Sequence, residues 1–127
     1  MYVDAVLALA RDGTKIPAKH KLLAPTLLRS QTLSALHEDV HSGKLSADVA
    51  RDLLAKVNRL PIRLLGDAVL RRRAWDLAEQ LGWAETYEAE YLALTQLQAV
   101  AFVTLDAKLA RRAKAVVPTA TLNALRA

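Results

Sequence analysis

The sequence contains no cysteine. That absence excludes disulfides, thiolate zinc sites and cysteine nucleophiles, and it fits a reducing compartment. Glycine and proline are scarce, at four each in 127 residues, so little interrupts regular structure and the Leu- and Ala-rich remainder favours helix. No apolar run approaches the length of a membrane span. The N-terminus lacks a basic stretch followed by a long apolar one, so no signal peptide is read there, and the expected location is the cytoplasm. There is no glycine-rich phosphate loop, which argues against P-loop nucleotide chemistry. No serine with a matching triad can be assigned.

What is present is an ordinary globular balance, 53% apolar and 24% charged. The length suits a single domain, 1–127, with one sizeable core. Eighteen Lys and Arg against 13 Asp and Glu leave a net charge of +5. A basic surface suits a polyanion or an acidic protein partner, and it equally describes a basic helical protein with neither.

The opening run MYVDAVLALA sets one carboxylate, Asp4, among apolar residues. A buried charge without a partner is costly, so Asp4 ends a strand, caps a helix or holds a positive partner. Residues 2–4 read as the end of a short strand and 5–11 as a short helix. Residues 12–21 read as a loop, and Leu22-Leu23 as a very short strand. Pro25 suits a first helical turn, giving a helix to about Ser42 that Gly43 stops. Ser46 is a candidate N-cap with Asp48 in the next first turn, and Val49, Leu53, Leu54 and Val57 supply that helix's apolar stripe. LPIRLL, 60–65, reads as a strand whose start Pro61 weakens. Asp67 can cap a helix that Gly82 ends, and Thr86 can cap another over 87–98. AVAFVTL, 99–105, is the clearest strand, with an unbroken apolar run. A helix over 107–115 and a last strand at Val116-Val117 follow, and 119–127 carry little pattern. Strands separated by helices imply βαβ units and a parallel sheet, hence an α/β fold.

In parallel sheets function gathers at the carboxyl ends of strands, where Asp4 and Asp106 fall. Glu88 and Glu90 both share a helix face with apolar residues, and periodicity does not choose between them. Carboxylates grouped in one crevice repel unless a cation or proton intervenes, which points to a hard divalent ion such as Mg²⁺ or Mn²⁺. Such an ion acidifies a bound water and clamps a phosphoryl oxygen; beside a basic surface the natural substrate is nucleic acid. The plainer reading is that Asp after a strand is an N-cap and that Glu in a first turn answers the helix dipole.

MYVDA, LLAPTLLRSQTLSAL, TYEAEYLAL and FVTLDAKLAR occur in the order of the PIN-domain family. The chain resembles the virulence-associated protein C (VapC) toxins of bacterial toxin–antitoxin pairs over nearly its whole length. The resemblance implies a PIN-like α/β/α sandwich, with a central parallel sheet of four to five short strands flanked by helices. It implies a Mg²⁺- or Mn²⁺-dependent endoribonuclease that forms a homodimer and is neutralised by a cognate antitoxin protein. Asp4 and Asp106 match the first and fourth family acids. Gln31 stands where the second is usually Glu, and Glu88 where the third is usually Asp. Asp4, Glu88 and Asp106 would then hold the metal, Gln31 would position water or substrate, and Thr104 would hydrogen-bond the site. Gln31 accepts and donates hydrogen bonds but cannot act as a general base. That departure motivates a second reading, a degenerate domain that binds RNA or protein without cutting. A third is a scaffold whose crevice receives a partner's basic side chain. A shifted register would make Glu38 the missing acid. The loop between Asp4 and Pro25 is shorter than usual in such proteins.

Arg71 to Arg73 form a basic run, and Lys108, Arg111 and Arg112 share one face of a short helix. All of these are candidates to track an RNA backbone, Lys108 and Arg111 above the rest because they follow Asp106 directly; a solvated face is the alternative. His37 and His41 are spaced i, i+4 but lack the H-E-x-x-H pattern, so surface histidines are expected. Trp75 and Trp83 are read as core or dimer contacts.

Overall fold

The computed structural model describes residues 1–13, 15–99 and 101–126. The described residues form a mixed α/β chain of six α-helices and four short strands, α1 (Val3–Asp12), β1 (Leu22–Pro25), α2 (Leu27–His41), α3 (Ala47–Arg59), β2 (Ile62–Leu65), α4 (Ala68–Leu81), α5 (Tyr87–Gln98), β3 (Phe102–Val103), α6 (Ala107–Ala113) and β4 (Thr119–Ala120), with a closing 3-10 helix, Leu122–Arg126.

Local chemistry sets most helix ends. Ser46 Oγ accepts from Val49 N–H at 3.2 Å and Asp67 Oδ1 from Leu70 N–H at 2.8 Å, each satisfying an orphan donor worth about 1 kcal/mol. Gly82 closes α4 at φ 72°, a left-handed conformation that favours glycine. Gly66 serves a different need. A Cβ there would lie 2.6 Å from Thr26 Oγ1, so only glycine lets the end of β2 pass the turn after β1.

Several expectations shift. Residues 2–4 do not end a strand: Tyr2 is extended, the helix begins at Val3, and Asp4 lies in its first turn. Pro25 closes β1 instead of opening α2, and Thr26 precedes the helix. Thr86 precedes α5 without a side-chain cap. The strand expected over 99–105 is Phe102–Val103 among the described residues, and Val100 lies outside them. The last strand is Thr119–Ala120, not Val116-Val117, because Pro118 precedes it and its carbonyl takes Phe102 N–H at 2.8 Å. Thr14 and Ala127, within segments read as loop and as weakly patterned, also lie outside the described residues.

Strands pair in parallel in two small sheets, β1 with β2 and β3 with β4, not in one continuous sheet. Residues 1–2 run between the two. Met1 N donates to Leu23 O at 2.9 Å, and Tyr2 N–H donates to Val103 O at 2.9 Å. The apolar opening run is then spent on burial, with Ala5, Val6, Leu7, Leu9 and Ala10 all inside. The larger core cluster joins α1 to α2–α6 through residues such as Leu28, Leu53, Leu77, Leu92 and Leu109; α5 packs against α4, β1 and β3. A smaller cluster joins Ala5 and Leu9 to Leu22, Val103 and Leu122. Among the described residues, no helix is long and apolar enough to cross a membrane.

Candidate active site

Asp4 enters the first turn of α1 directly after the extended Tyr2, so its carboxylate faces the chain leaving β3. Thr104 Oγ1 lies 3.1 Å and 2.9 Å from the two Asp4 oxygens, and Leu105 N–H donates to Oδ1 at 3.1 Å. The Thr104 hydroxyl in turn accepts from Asp106 N–H at 3.1 Å. Asp106 is the N-cap of α6, its Oδ1 accepting from Lys108 and Leu109 N–H at 2.9 Å and 3.1 Å. Asp4 and Asp106 are thus fixed on either side of one threonine. Asp106 is thus the N-cap of the plainer reading, and capping uses one of its two carboxylate oxygens.

Glu88, in the first turn of α5, accepts from Arg112 at 2.5 Å, and the Arg112 guanidinium stacks 4.8 Å from the Trp83 ring. Burial raises the pKa of Glu90, with Arg71 pulling the other way. Glu88 acts on Tyr2 and Glu90 on Tyr91, so the two glutamates lie beside different tyrosines.

Tyr2 ties the acids together. Burial first, then the charges of Glu88, Asp4 and Asp106 and a hydrogen bond to Glu88, push its phenol up to about 12. All three carboxylates therefore act on one neutral hydroxyl. Tyr2 stacks edge-on against Tyr91, with ring centroids 4.9 Å apart. Tyr91 is buried and donates to Gln31 Oε1 at 2.5 Å. Burial, Tyr2, Glu90 and Asp4 raise the Tyr91 pKa, so it remains a donor. Gln31 joins the site through Tyr91, with its carbonyl oxygen already engaged.

Among the described residues no three His, Cys, Asp or Glu side chains are grouped closely enough to hold a metal ion. Asp4, Glu88 and Asp106 do not form an all-protein cage, and Arg112 takes one Glu88 oxygen. The donors still suit a hard ion. Mg²⁺ is commonly held by one or two carboxylates and completes its shell with water and substrate phosphate. Asp4 and Asp106 offer that pair.

Lys108 and Arg111 are exposed on α6. Arg112, not either of these, makes the ion pair with Glu88. Glu38 is exposed and accepts from Ser34 at 3.5 Å. His37 and His41 are exposed. Trp75 is 67% exposed, which removes it from the core, while Trp83 is the platform for Arg112. Sequence reasoning missed Tyr2 and Tyr91 as members of the site, and it placed Arg112 on a basic helix face without its pairing to Glu88. Tyr91 left a local signal, one turn beyond Glu88.

No protein-family model matches this chain, and comparison with curated proteins finds no match.

Proposed function

We propose that this protein is a metal-dependent endoribonuclease, the cytoplasmic toxin half of a toxin–antitoxin pair, built as a PIN-like α/β/α sandwich. The observation that carries the reading is the pairing of Asp4 and Asp106 about the Thr104 hydroxyl, with Glu88 acting beside them on Tyr2. The extended residues 1–2 between β1 and β3 support the sandwich, since they fill the central position of an order β2, β1, 1–2, β3, β4.

In this reading Asp4 and Asp106 hold Mg²⁺ or Mn²⁺, and Glu88 is the third ligand once released from Arg112. The bound ion would supply an acidified water and charge neutralisation at an RNA phosphodiester. Thr104 orients Asp4. Gln31, fixed by Tyr91, positions water or substrate. Lys108 and Arg111 meet the RNA backbone. Exposed Leu33 on α2 and Val49 on α3 offer apolar surface to a homodimer, and a cognate antitoxin protein covers the crevice.

The test is cleavage of single-stranded and structured RNA with Mn²⁺, with Mg²⁺ and with chelator. Asp4→Asn from the same preparation is expected to lose about a hundredfold or more while keeping the fold, since an amide oxygen still accepts from Thr104. Undiminished cutting by that variant removes the assignment.

The neutral Gln31 and the Arg112–Glu88 pair favour a second reading, in which the domain binds RNA or a protein partner without cutting. There the wild type is inert and Gln31→Glu gains metal-dependent cleavage. Cleavage by the wild type, lost in Asp4→Asn, eliminates it.

A further inference from the structure

The sheet of β1 and β2 has two different faces. The register pairs Leu22 with Ile62, Leu23 with Arg63 and Ala24 with Leu64, and successive side chains alternate between faces. Ile62 and Leu64 turn towards α2 and α3, where they line a cavity with Leu28, Thr32 and Val57. Leu23, Arg63 and Leu65 turn the other way, into a separate cleft of about 560 Å³. Its floor is aliphatic, from Leu23 and Leu65 across to Val103 and Leu125. Its rim carries Lys19, Lys21 and Arg63, all exposed. None of these three forms an ion pair among the described residues.

Among the described residues no Asp or Glu lines the cleft, and the sequence explains why. Its walls come from 19–23, 63–65, 98–103 and 120–125. These segments fall within four acid-free stretches, 13–37, 53–66, 91–105 and 107–127. None of its lining residues belongs to the Asp4–Thr104–Asp106 network or to the Glu88 pair.

We propose that this cleft docks an acidic, aliphatic peptide segment of a protein partner. The volume lies in the ordinary range of ligand sites. An uncovered aliphatic floor gains by taking up apolar side chains, and a cationic rim with no acid to oppose it selects flanking Asp or Glu. RNA is the poorer fit, because the floor is aliphatic and His20 is the one aromatic ring among the described lining residues on which a base could stack. The proposal does not rest on ribonuclease activity.

The experiment is fluorescence anisotropy with the full chain and a fluorescein-labelled peptide alternating Leu and Glu. A Leu/Lys peptide, a Ser/Glu peptide and single-stranded RNA are the unlabelled competitors. The labelled peptide is expected to bind and to resist all three. Lys21→Glu and Arg63→Glu should each weaken it about tenfold, and the milder Arg63→Gln by less. All three variants alter exposed side chains, and far-UV circular dichroism checks their fold. Hydrogen exchange should slow at 22–25 and 62–65 on binding. No binding, binding unaffected by the reversals, equal competition by Ser/Glu peptide or displacement by RNA each overturns the proposal. The last two would mark the rim as a general anion surface.

Discussion

Two regions of this molecule divide its charge between them. The crevice around Tyr2 gathers Asp4, Glu88 and Asp106, each held by a named donor, Thr104, Arg112 or the α6 backbone. The cleft beneath Leu23 and Arg63 has three cations on its rim and, among the described residues, no Asp or Glu. Net charge of +5 describes neither. The contrast teaches that a modest overall charge can hide two surfaces of opposite sign. Composition alone reports their sum.

Short of replacing Asp4 itself, the strongest way to break the acidic side is Thr104→Val. It removes the hydroxyl that touches both Asp4 oxygens and leaves that carboxylate with Leu105 N–H. Metal-dependent RNA cleavage is expected to fall about tenfold to a hundredfold, and stability by about 1–2 kcal/mol, read by denaturant unfolding. Equal activity in the variant would show that Asp4 needs no orientation.

A spectroscopic titration sharpens the same contrast. Tyr2 should ionise near 12 instead of 10, and Asp4→Asn should bring it down, because one of the charges opposing the phenolate is gone. Ultraviolet difference spectra across the alkaline range follow it. The sign for stability follows from linkage. A folded pKa above the unfolded one means that Tyr2's contribution is intact below pH 10 and is lost as pH rises through about 12. A Tyr2 signal unchanged by Asp4→Asn would separate the two groups.

Glu90→Gln gives the smallest expected effect. Burial raises this carboxyl from its model-peptide value of 4.5, more than Arg71 lowers it. Its contribution is present below that value and is lost as pH rises through the folded pKa. At neutral pH the amide should therefore melt slightly higher than the wild type, and the difference should vanish in acid. A lower melting temperature at neutral pH would make the Arg71 attraction dominant.

How much of this was legible in the sequence depended on distance along the chain. Ser46, Asp67 and Gly82 mark helix ends through contacts made within three or four residues, and the expected 87–98 helix matches α5. Asp4, Glu88 and Asp106 could be picked as acids and Thr104 as their hydrogen-bonding neighbour through the resemblance, but the contacts of Gln31 and Glu88 could not. Gln31 and Tyr91 are 60 residues apart, and Glu88 and Arg112 are 24 apart. The strand errors have the same origin. Tyr2 and Val3 favour β by composition, yet α1 gains more from burying Val6, Leu7 and Leu9 as a helix. Pro25 is equally compatible with a first helical turn, and the pairing with Leu65 decides for β1. The cleft was legible only afterwards, because four acid-free stretches mean little until the fold lays them side by side.

The Asp4–Thr104 contact spans 100 positions, and that span has a consequence in time. Chains emerge from the ribosome at about 5–20 residues per second, so roughly 5–20 s separate the synthesis of the two partners. Helix α1 can coil early, but its carboxylate cannot meet its threonine until β3 has been made. High contact order also slows the final closure. A nascent chain therefore carries Asp4 and Glu88 without the crevice, and whatever chemistry the crevice performs is withheld until Thr104 and Asp106 have been translated.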